Sequence, residues 1–425
     1  MTQKRKAEKK FKFIDLFAGC GGLSLGLEHA GFDPIFVNEL SPSAMQTYLL
    51  NRDLNYPDLR EKYHLADIKK LIESDGLLLQ KLIKDFKLDY SLNIENGDLD
   101  LLVGGPPCQG FSGLGYRRSY SVNKKQLPSN HLYQDMAFVI ATLRPKIFLF
   151  ENVKGLLTAR WSPDGIKGEI WDDVKGTFNS IPGYRVHPQL IYAKHYGIPQ
   201  NRPRVLIVGI RSDLNFTEDS SMFANGFLPE PNEMYLNIDD LLGDLVDARY
   251  TNGGTTEMYP KSPKNDYQRW FRTNPMSGEV AAKGSPVTEH KYSQHRLDII
   301  EKFRYMQSNK GLIHSSMKTK KFSQRLLPSK WGPKGPAITA TSMPDDYVHF
   351  SQPRTLTVRE WARLQTFPDW YQFSGIRTTG GIRRAGNPRE GIFDREVPKY
   401  TQIGNAVPVI LAAALGKHLK KILES

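Results

Sequence analysis

The chain has 425 residues, and 58 Lys and Arg against 45 Asp and Glu give a formal net charge of +13. With 39% apolar and 24% charged residues, global disorder is excluded and about two domains are expected. The charged N-terminal decapeptide lacks a following apolar stretch, and no run of about 18 apolar residues occurs, so we expect neither a signal peptide nor a membrane span. Two cysteines 88 positions apart do not make a disulfide framework, which favours a reducing, cytoplasmic setting.

Short β-rich runs alternate with helical patterns along the first half of the chain, which predicts an α/β fold around a mostly parallel sheet. Most of the strand candidates are continuously apolar, as in strands buried on both faces. The predicted strands are 11–17, 34–40, 99–105, 146–153 and 204–210. The predicted helices are 23–31, 41–52, 358–365 and 407–422.

Charge is unevenly distributed after the last predicted strand. Residues 212–247 carry nine acidic residues and no Lys or Arg, whereas residues 248–335 carry 17 basic against 6 acidic residues. Aromatic residues are interleaved with these cations, a mixture that can hold phosphates and stack on bases, although a solvated surface explains it equally well. The change in charge predicts a domain boundary near 211/212.

The first predicted strand runs into FAGCGGLSLG, a Gly-rich turn that lets backbone N–H groups and a helix N-terminus approach a ligand. Ser24 replaces the third glycine of GxGxxG, so the ligand need not be a pyrophosphate. Glu39 lies about twenty residues on, where a carboxylate can accept both ribose hydroxyls. Asp67 could contact an adenine amine, although a cap of the next helix explains it equally well. S-adenosylmethionine, which has a ribose and an adenine but no phosphate, fits better than NAD.

The sequence GGPPCQGFS follows a buried strand, at the edge where α/β sheets place ligands. Pro106 and Pro107 stiffen this loop and its glycines let it turn sharply. We therefore predict that the loop holds Cys108 outward, as a nucleophile. Cys20 lies inside the cradle turn, where a packing role is expected.

Two further segments carry candidate catalytic side chains. Glu151 ends an apolar strand, so we expect an apolar setting in which its carboxyl group can hold or share a proton, although a turn cap is an alternative. Arg202 and Arg204 are two residues apart, so in a strand they project to one face and could grip an anion or a carbonyl-bearing ring together. Solvated arginines on a sheet edge are the alternative.

The blocks FIDLFAGCGG, PPCQGFS, ENV, QNRPR, RTLTVREWARLQTFPDW and QIGNAVP occur in this order. In this the chain resembles the DNA (cytosine-5) methyltransferase family, bacterial restriction-modification type, over residues 11–211 and 354–420. The resemblance implies a Rossmann-like S-adenosylmethionine-dependent methyltransferase fold with a mixed seven-stranded sheet and a smaller target-recognition domain. The implied domains are a catalytic domain over 1–211, the target-recognition domain over 212–401 and a C-terminal helix over 402–425 that returns to the catalytic domain. The stretch 371–400 is longer than the family minimum, and its role is open.

The resemblance also implies roles for individual residues. Cys108 is the nucleophile, Glu151 the acid, Arg204 the group that holds the cytosine carbonyl oxygen, and Arg202 a residue that positions the catalytic loop. The implied S-adenosylmethionine contacts are Phe17, Gly19, Gly21, Gly22, Glu39, Asp67, Ile68, Pro106, Asn405 and Val407. No metal site is implied.

The implied reaction is transfer of a methyl group from S-adenosylmethionine to carbon 5 of a flipped-out cytosine through a covalent cysteine adduct. The implied partner is double-stranded DNA at a short specific sequence, with protection from a companion endonuclease as the role; an obligate protein partner is not evident, and a monomer suffices. Candidate DNA-binding residues lie in the loop after Cys108 and in the open stretch: Ser112, Arg117, Arg118, Lys124, Arg383 and Arg384.

Four rival functions are weighed against this prediction. An RNA cytosine methyltransferase could use the same scaffold, although the 149 residues between QNRPR and RTLTV favour a duplex-reading domain. A dinucleotide-dependent oxidoreductase leaves PPCQ, ENV and QNRPR unexplained. A binding protein that has lost catalysis has no support, because each proposed catalytic position is occupied. A hydrolase using His131 lacks an evident orienting acid.

Overall fold

The computed structural model describes ten stretches of the chain. They are residues 10–107, 130–162, 164–198, 200–214, 226–231, 237–318, 324–329, 337–338, 346–378 and 396–425. In this part of the chain, no helix is long and apolar enough to cross a lipid bilayer.

A seven-stranded sheet forms the centre of the described structure, with strand order β3-β2-β1-β4-β5-β7-β6. Strands β1 to β5 run parallel, whereas β7 is antiparallel to both β5 and β6. The strands of this sheet are β1 (Phe11–Leu16), β2 (Phe32–Asn38), β3 (His64–Leu65), β4 (Leu101–Gly104), β5 (Ile147–Val153), β6 (Tyr184–Tyr192) and β7 (Pro203–Arg211). Two short strands, β8 (Arg325–Leu326) and β9 (Tyr347–Val348), pair separately.

The described helices flank the sheet or belong to the later part of the chain. The first six are α1 (Gly22–His29), α2 (Pro42–Leu50), α3 (Pro57–Glu61), α4 (Lys69–Tyr90), α5 (Leu132–Leu143) and α6 (Glu169–Asn179). The others are α7 (Ile238–Leu242), α8 (Asp266–Arg272), α9 (Leu297–Ser308), α10 (Val358–Leu364), α11 (Lys399–Asn405) and α12 (Val409–Glu424). Helix α4 leaves helical backbone geometry over Glu73 to Gly76.

Apolar side chains cover both faces of the sheet. One core cluster packs α2, α4, α5 and α6 against one face, and a second packs α1 and α12 against the other. Helices α1 and α12 approach closely at Gly26, where a Cβ atom would lie 2.4 Å from the Ala412 Cβ. These two layers explain why the strands read as continuous apolar runs.

The α/β class and the mixed seven-stranded sheet are confirmed. The expectation of a mostly parallel sheet from the strand pattern alone missed the reversal of β7, and it missed β3 and β6. Strand β3 has two residues, and most of β6 is only half-buried, so neither has a long apolar run.

A third core cluster joins the later part of the chain to the first helix. It contains Cys20 and Leu25 together with Trp361 and Tyr400. Helix α10 begins with a capping box in which the side chains of Thr357 and Glu360 bond reciprocally to backbone N–H groups. The division at 211/212 and 401/402 remains a prediction.

Candidate active site

The turn between β1 and α1 forms the predicted cradle. Phe17, Gly19 and Gly21 have φ values of 58°, 57° and 85°, and such left-handed geometry in a bulky residue like Phe17 costs about 1–3 kcal/mol and is typical of functional turns. No described atom lies within 4 Å of a Cβ built on Gly19. The turn therefore keeps one open side at Gly19.

Glu39 is the first residue after β2 and lies against this turn. One carboxylate oxygen accepts from the Gly19 N–H at 2.8 Å, and the other accepts from the Ser41 N–H at 2.7 Å. Burial raises the pKa of Glu39, and the two backbone N–H groups oppose the rise. Each oxygen still has a further lone pair for a ligand hydroxyl.

Asp67 and Ile68 follow β3, at the strand end next to Glu39. The Glu39 N–H donates to the Leu65 carbonyl at 3.1 Å, which brings the two strand ends together. The half-buried Asp67 carboxylate accepts from the Lys69 N–H at 3.0 Å, the local bond expected of a helix-capping residue. Ile68 packs in the core, so a ligand could reach only its backbone.

The loop that leads to the predicted nucleophile Cys108, called the nucleophile loop below, begins where β4 ends at Gly104. The buried amide of Asn152 donates to the Pro106 carbonyl at 3.2 Å and accepts from the Val153 N–H at 2.8 Å. A Cβ atom on Gly105 would lie 3.0 Å from a Glu151 carboxylate oxygen. The loop therefore starts in contact with the ENV segment. The predicted nucleophile Cys108 lies outside the described residues, as do Ser112, Arg117, Arg118, Lys124, Arg383 and Arg384.

Glu151 and Arg204 form an ion pair between β5 and β7. Glu151 stands opposite Leu206 in the antiparallel register, so Arg204, two residues from Leu206, projects from the same face. Both side chains are at least 87% buried, since their exposed fractions are 13% and 9%. The burial expected for Glu151 is therefore present, but the expectation of apolar neighbours is corrected, because its carboxylate contacts a guanidinium group.

Arg202 does not join Arg204 in a shared grip, which corrects the expectation that both project from one strand face. Strand β7 begins at Pro203, and Arg202 precedes it. Its buried guanidinium donates to the carbonyls of Ile338, Gly404 at 2.7 Å and Ala406 at 3.0 Å. Burial, and then the nearby Arg204, hold the pKa of Arg202 well below its usual value. Arg202 thus ties the start of β7 to the QIGNAVP segment.

The QIGNAVP segment packs directly on the cradle. A Cβ atom on Gly22 would lie 2.4 Å from the Val407 carbonyl oxygen. The Val407 side chain is buried, whereas Asn405 is exposed. Their position beside α1 is compatible with the predicted ligand contacts, which remain predictions.

Cys20 has the packing role expected from its place in the turn. It is 1% exposed, its thiol donates to the Gln402 carbonyl at 3.4 Å, and burial raises its pKa to about 12. A thiol held protonated in this way is not a nucleophile at neutral pH.

Sequence reasoning missed two buried amides that hold the site together. The ENV segment was interpreted for Glu151 alone, although a polar residue such as Asn152 at the end of a buried strand indicates a hydrogen bond to a neighbouring loop. Gln200 donates to the Leu364 carbonyl at 2.8 Å and accepts from the Ile338 N–H at 3.1 Å, and its partners are too distant in the chain to be read from spacing.

Other candidates are not supported by the described residues. His131, the residue proposed for a hydrolase, stacks on Trp161 with ring centroids 5.1 Å apart. No group of three or more His, Cys, Asp or Glu side chains within the described stretches is arranged to hold a metal ion.

The chain was compared with known families and proteins. The family model for C-5 cytosine-specific DNA methylase matches residues 11–421. Type II methyltransferase M.DdeI of Desulfomicrobium norvegicum is 30% identical over 97% of this chain and 89% of its own length. Type II methyltransferase M.PspPI of Psychrobacter sp. is 31% identical over 98% of this chain and 80% of its own.

A solved structure supports the fold. A crystal structure described as that of a DNA modification methyltransferase encoded within a prophage (E. coli) has a TM-score of 0.64 and 23% identity, covering 98% of this chain and 100% of that chain. The DNA family model and the curated relatives set aside the RNA methyltransferase, oxidoreductase and hydrolase alternatives. The predicted DNA (cytosine-5) methyltransferase of restriction-modification type is confirmed, and the chain belongs to the C-5 cytosine-specific DNA methylase family.

Proposed function

We propose that the enzyme transfers a methyl group from S-adenosylmethionine to carbon 5 of a flipped-out cytosine at a short specific sequence in duplex DNA. The proposal rests on one arrangement: Glu39, Pro106 and Glu151 lie at the carboxyl ends of β2, β4 and β5. In the order β2-β1-β4-β5 the outer two ends are three strand spacings apart, about 14 Å. A donor cradle and a base pocket can lie side by side over that distance.

The residues of the cradle fit S-adenosylmethionine. The open side of Gly19 and the Glu39 carboxylate suit a ribose. Phe17, Gly21 and Gly22 line the turn, Asp67 and Ile68 follow the neighbouring strand, and Pro106, Asn405 and Val407 complete the proposed pocket. When bound, S-adenosylmethionine supplies an electrophilic methyl group.

Carbon 5 of cytosine is a poor nucleophile, so the ring must be activated before it can accept that group. In the proposed step, the Cys108 thiolate forms a bond to carbon 6 while Glu151 provides the proton at N3, and electron density collects at carbon 5. After carbon 5 is methylated, water removes its proton, the sulfur–carbon bond breaks, the thiolate leaves and the N3 proton returns to Glu151. The enzyme ends in its starting state.

The two arginines have different proposed tasks. Arg204, already in contact with Glu151, would hold the cytosine carbonyl oxygen and keep the Glu151 carboxyl group aimed at N3. Arg202 would act through backbone contacts, because its donors are directed at the carbonyls of residues 338 and 404–406. It is a positioning residue in this proposal.

DNA binding must offset the unstacking of the target base, about a few kcal/mol. Phosphate contacts by the basic segment 248–335, which contributes +11 to the net charge, can do so. The loop residues Ser112, Arg117, Arg118 and Lys124 would contact DNA near the flipped base, and Arg383 and Arg384 would read bases. Protection of host DNA from a companion endonuclease, in the cytoplasm and as a monomer, completes the proposal.

Methylated-cytosine mapping tests this function. DNA from cells that express the wild type should carry methylated cytosines at one short sequence, and DNA from cells with Cys108→Ser should carry none. With S-adenosylmethionine present, a duplex with 5-fluorocytosine at that sequence should also form a stable covalent adduct with the wild type, because after methyl transfer fluorine cannot leave carbon 5 as the proton does and the thiolate is not eliminated. Marks that persist in the Cys108→Ser cells would refute the covalent step.

A further inference from the structure

A buried polar cluster lies behind the cradle, on the side away from Glu39. The Arg52 side chain, at the end of α2, is 1% exposed, and its guanidinium stacks on the Tyr48 ring at 3.8 Å from the centroid. Two of its nitrogens donate to the same Glu28 oxygen at 2.6 and 2.8 Å. The positive charge is therefore balanced inside the core, at a cost that only good geometry offsets.

The remaining donors of Arg52 are directed at backbone and at one distant tyrosine. They reach the Gly21 carbonyl at 3.2 Å, the Tyr48 carbonyl at 3.0 Å and the Tyr371 hydroxyl at 3.1 Å. The Tyr371 hydroxyl in turn donates to the Cys20 carbonyl at 2.5 Å. Two consecutive carbonyls of the cradle turn are thus held from behind by residues 319 positions apart.

Gly21 is where this cluster presses against the turn. A Cβ atom there would lie 2.8 Å from an Arg52 nitrogen, 2.8 Å from the Tyr371 hydroxyl and 2.9 Å from the Tyr48 ring. Together with its φ of 85°, this crowding explains why the position needs glycine. The turn is fixed on both sides, by Glu39 at the Gly19 N–H and by the cluster at the two carbonyls.

Tyr371 also begins the stretch whose role the sequence left open. The next residues are tied to α2: the Gln372 N–H donates to the Asn51 side chain at 2.9 Å, and the Ser374 N–H donates to the Thr47 hydroxyl at 2.8 Å. Arg52 and the two anchors therefore lie together, in the last turns of α2 and the two residues that follow it. A displacement of this stretch would therefore change the contacts that Tyr371 makes with Arg52 and with the Cys20 carbonyl.

We propose that Arg52 and Tyr371 are positioning residues for the methyl-donor site, acting through the Cys20 and Gly21 carbonyls. The inference rests on the proposed function, since it requires that the cradle binds S-adenosylmethionine. Each of these carbonyls shares a planar peptide unit with the N–H of the next residue, so the two residues fix the direction of the Gly21 and Gly22 N–H groups where α1 begins. They touch neither the donor nor the base, so they set donor affinity and not the chemical step.

Tyr371→Phe tests this proposal, because it removes one hydroxyl and keeps the ring. Tyr400→Phe is the matched control: Tyr400 is equally buried in the same core cluster, and its hydroxyl donates to the Leu356 carbonyl at 2.7 Å, away from the turn. Calorimetric titration with S-adenosylhomocysteine, the demethylated donor, measures affinity without turnover. Melting temperatures without ligand measure the structural cost of each change.

We expect Tyr371→Phe to weaken S-adenosylhomocysteine binding about two- to tenfold, the loss of one net hydrogen bond. The KM for the donor should rise with kcat unchanged. Tyr400→Phe should lower the melting temperature by a similar amount and leave affinity unchanged. Arg52→Lys, which keeps the charge but loses the planar fork, should weaken affinity at least as much as Tyr371→Phe.

Equal affinity in the wild type and Tyr371→Phe, or an equal loss in both tyrosine variants, would overturn the positioning role. A wild type that fails to bind S-adenosylhomocysteine would instead refute the proposed function, and this inference with it. The two failures are therefore distinguishable in one set of titrations. If Arg52→Lys does not fold, the tyrosine pair still decides the question.

Discussion

Asn152 gives the sharpest test of how the nucleophile loop is positioned. Its amide bridges the Pro106 carbonyl and the Val153 N–H, and the residue is only 3% exposed. Asn152→Ala removes both bonds without changing any proposed reacting group. Each bond contributes about 0.5–1.5 kcal/mol net, so the loss is about 1–3 kcal/mol.

If the lost bonds destabilise the loop conformation that places the nucleophile at the base, the rate of methyl transfer should fall about fivefold to a hundredfold. The assay is a single-turnover transfer of labelled methyl groups to unmethylated plasmid DNA, with enzyme in excess and donor saturating. Under these conditions the rate reports the step at the base and not product release.

Asn252→Ala is the control variant. Its amide makes the same pair of bonds, donating to the His295 carbonyl at 2.7 Å and accepting from the His295 N–H at 2.9 Å. We expect a loss of stability but an unchanged single-turnover rate. If Asn152→Ala reacts as fast as the wild type, the bond to Pro106 has no part in presenting the nucleophile, and the reasoning is refuted.

Three further predictions concern the donor, the DNA and pH. Glu39→Gln should weaken S-adenosylhomocysteine binding about tenfold to a hundredfold in calorimetric titration, because an ionised acceptor is lost and an amide N–H can face the Gly19 and Ser41 donors; unchanged affinity would contradict the assignment. Lys154 and Lys194 lie within 6 Å of the Tyr192 ring centroid at the carboxyl edge of the sheet, so replacing each with Gln should reduce the slope of log Kd for DNA against log salt by about 0.9. Lys62→Gln, at the amino edge, should leave that slope unchanged. Burial lowers the pKa of His349 from 6.5 to about 4. As the pH falls below 6.5, this histidine is protonated in the unfolded chain but not in the folded protein, which favours unfolding. Between pH 7 and pH 5 the wild type should therefore lose about 2 kcal/mol more unfolding free energy than His349→Gln does. Urea titrations of both proteins at the two pH values measure this difference, and an equal loss in both would contradict the burial of His349.

The sequence predicted those features that depend on neighbouring residues. The apolar runs 34–37 and 147–150 mark two strands, and Glu39 and Glu151 lie within two residues of their ends, so their place at the carboxyl edge could be read directly. The setting of Glu151 could not, because its partner Arg204 lies on a strand whose reversed direction has no local signal. The contacts of Arg202 could not be predicted either, because its carbonyl partners lie at least 136 positions away in the chain. Arg52 and Tyr371 went unnoticed because only the folded chain brings α2 and the stretch after α10 together.

The reversed course of β7 decides which residues can act on one base. In a parallel sheet, the first residues of a strand lie at the edge opposite the ligands. Had β7 run parallel to β5, Arg204 would stand on the order of 20 Å from Glu151, since seven residues separate it from the end of the strand at Arg211. Because β7 is reversed, a side chain from the beginning of one strand meets a side chain from the end of another, and the proposed base pocket needs no long loop to place the guanidinium group beside Glu151.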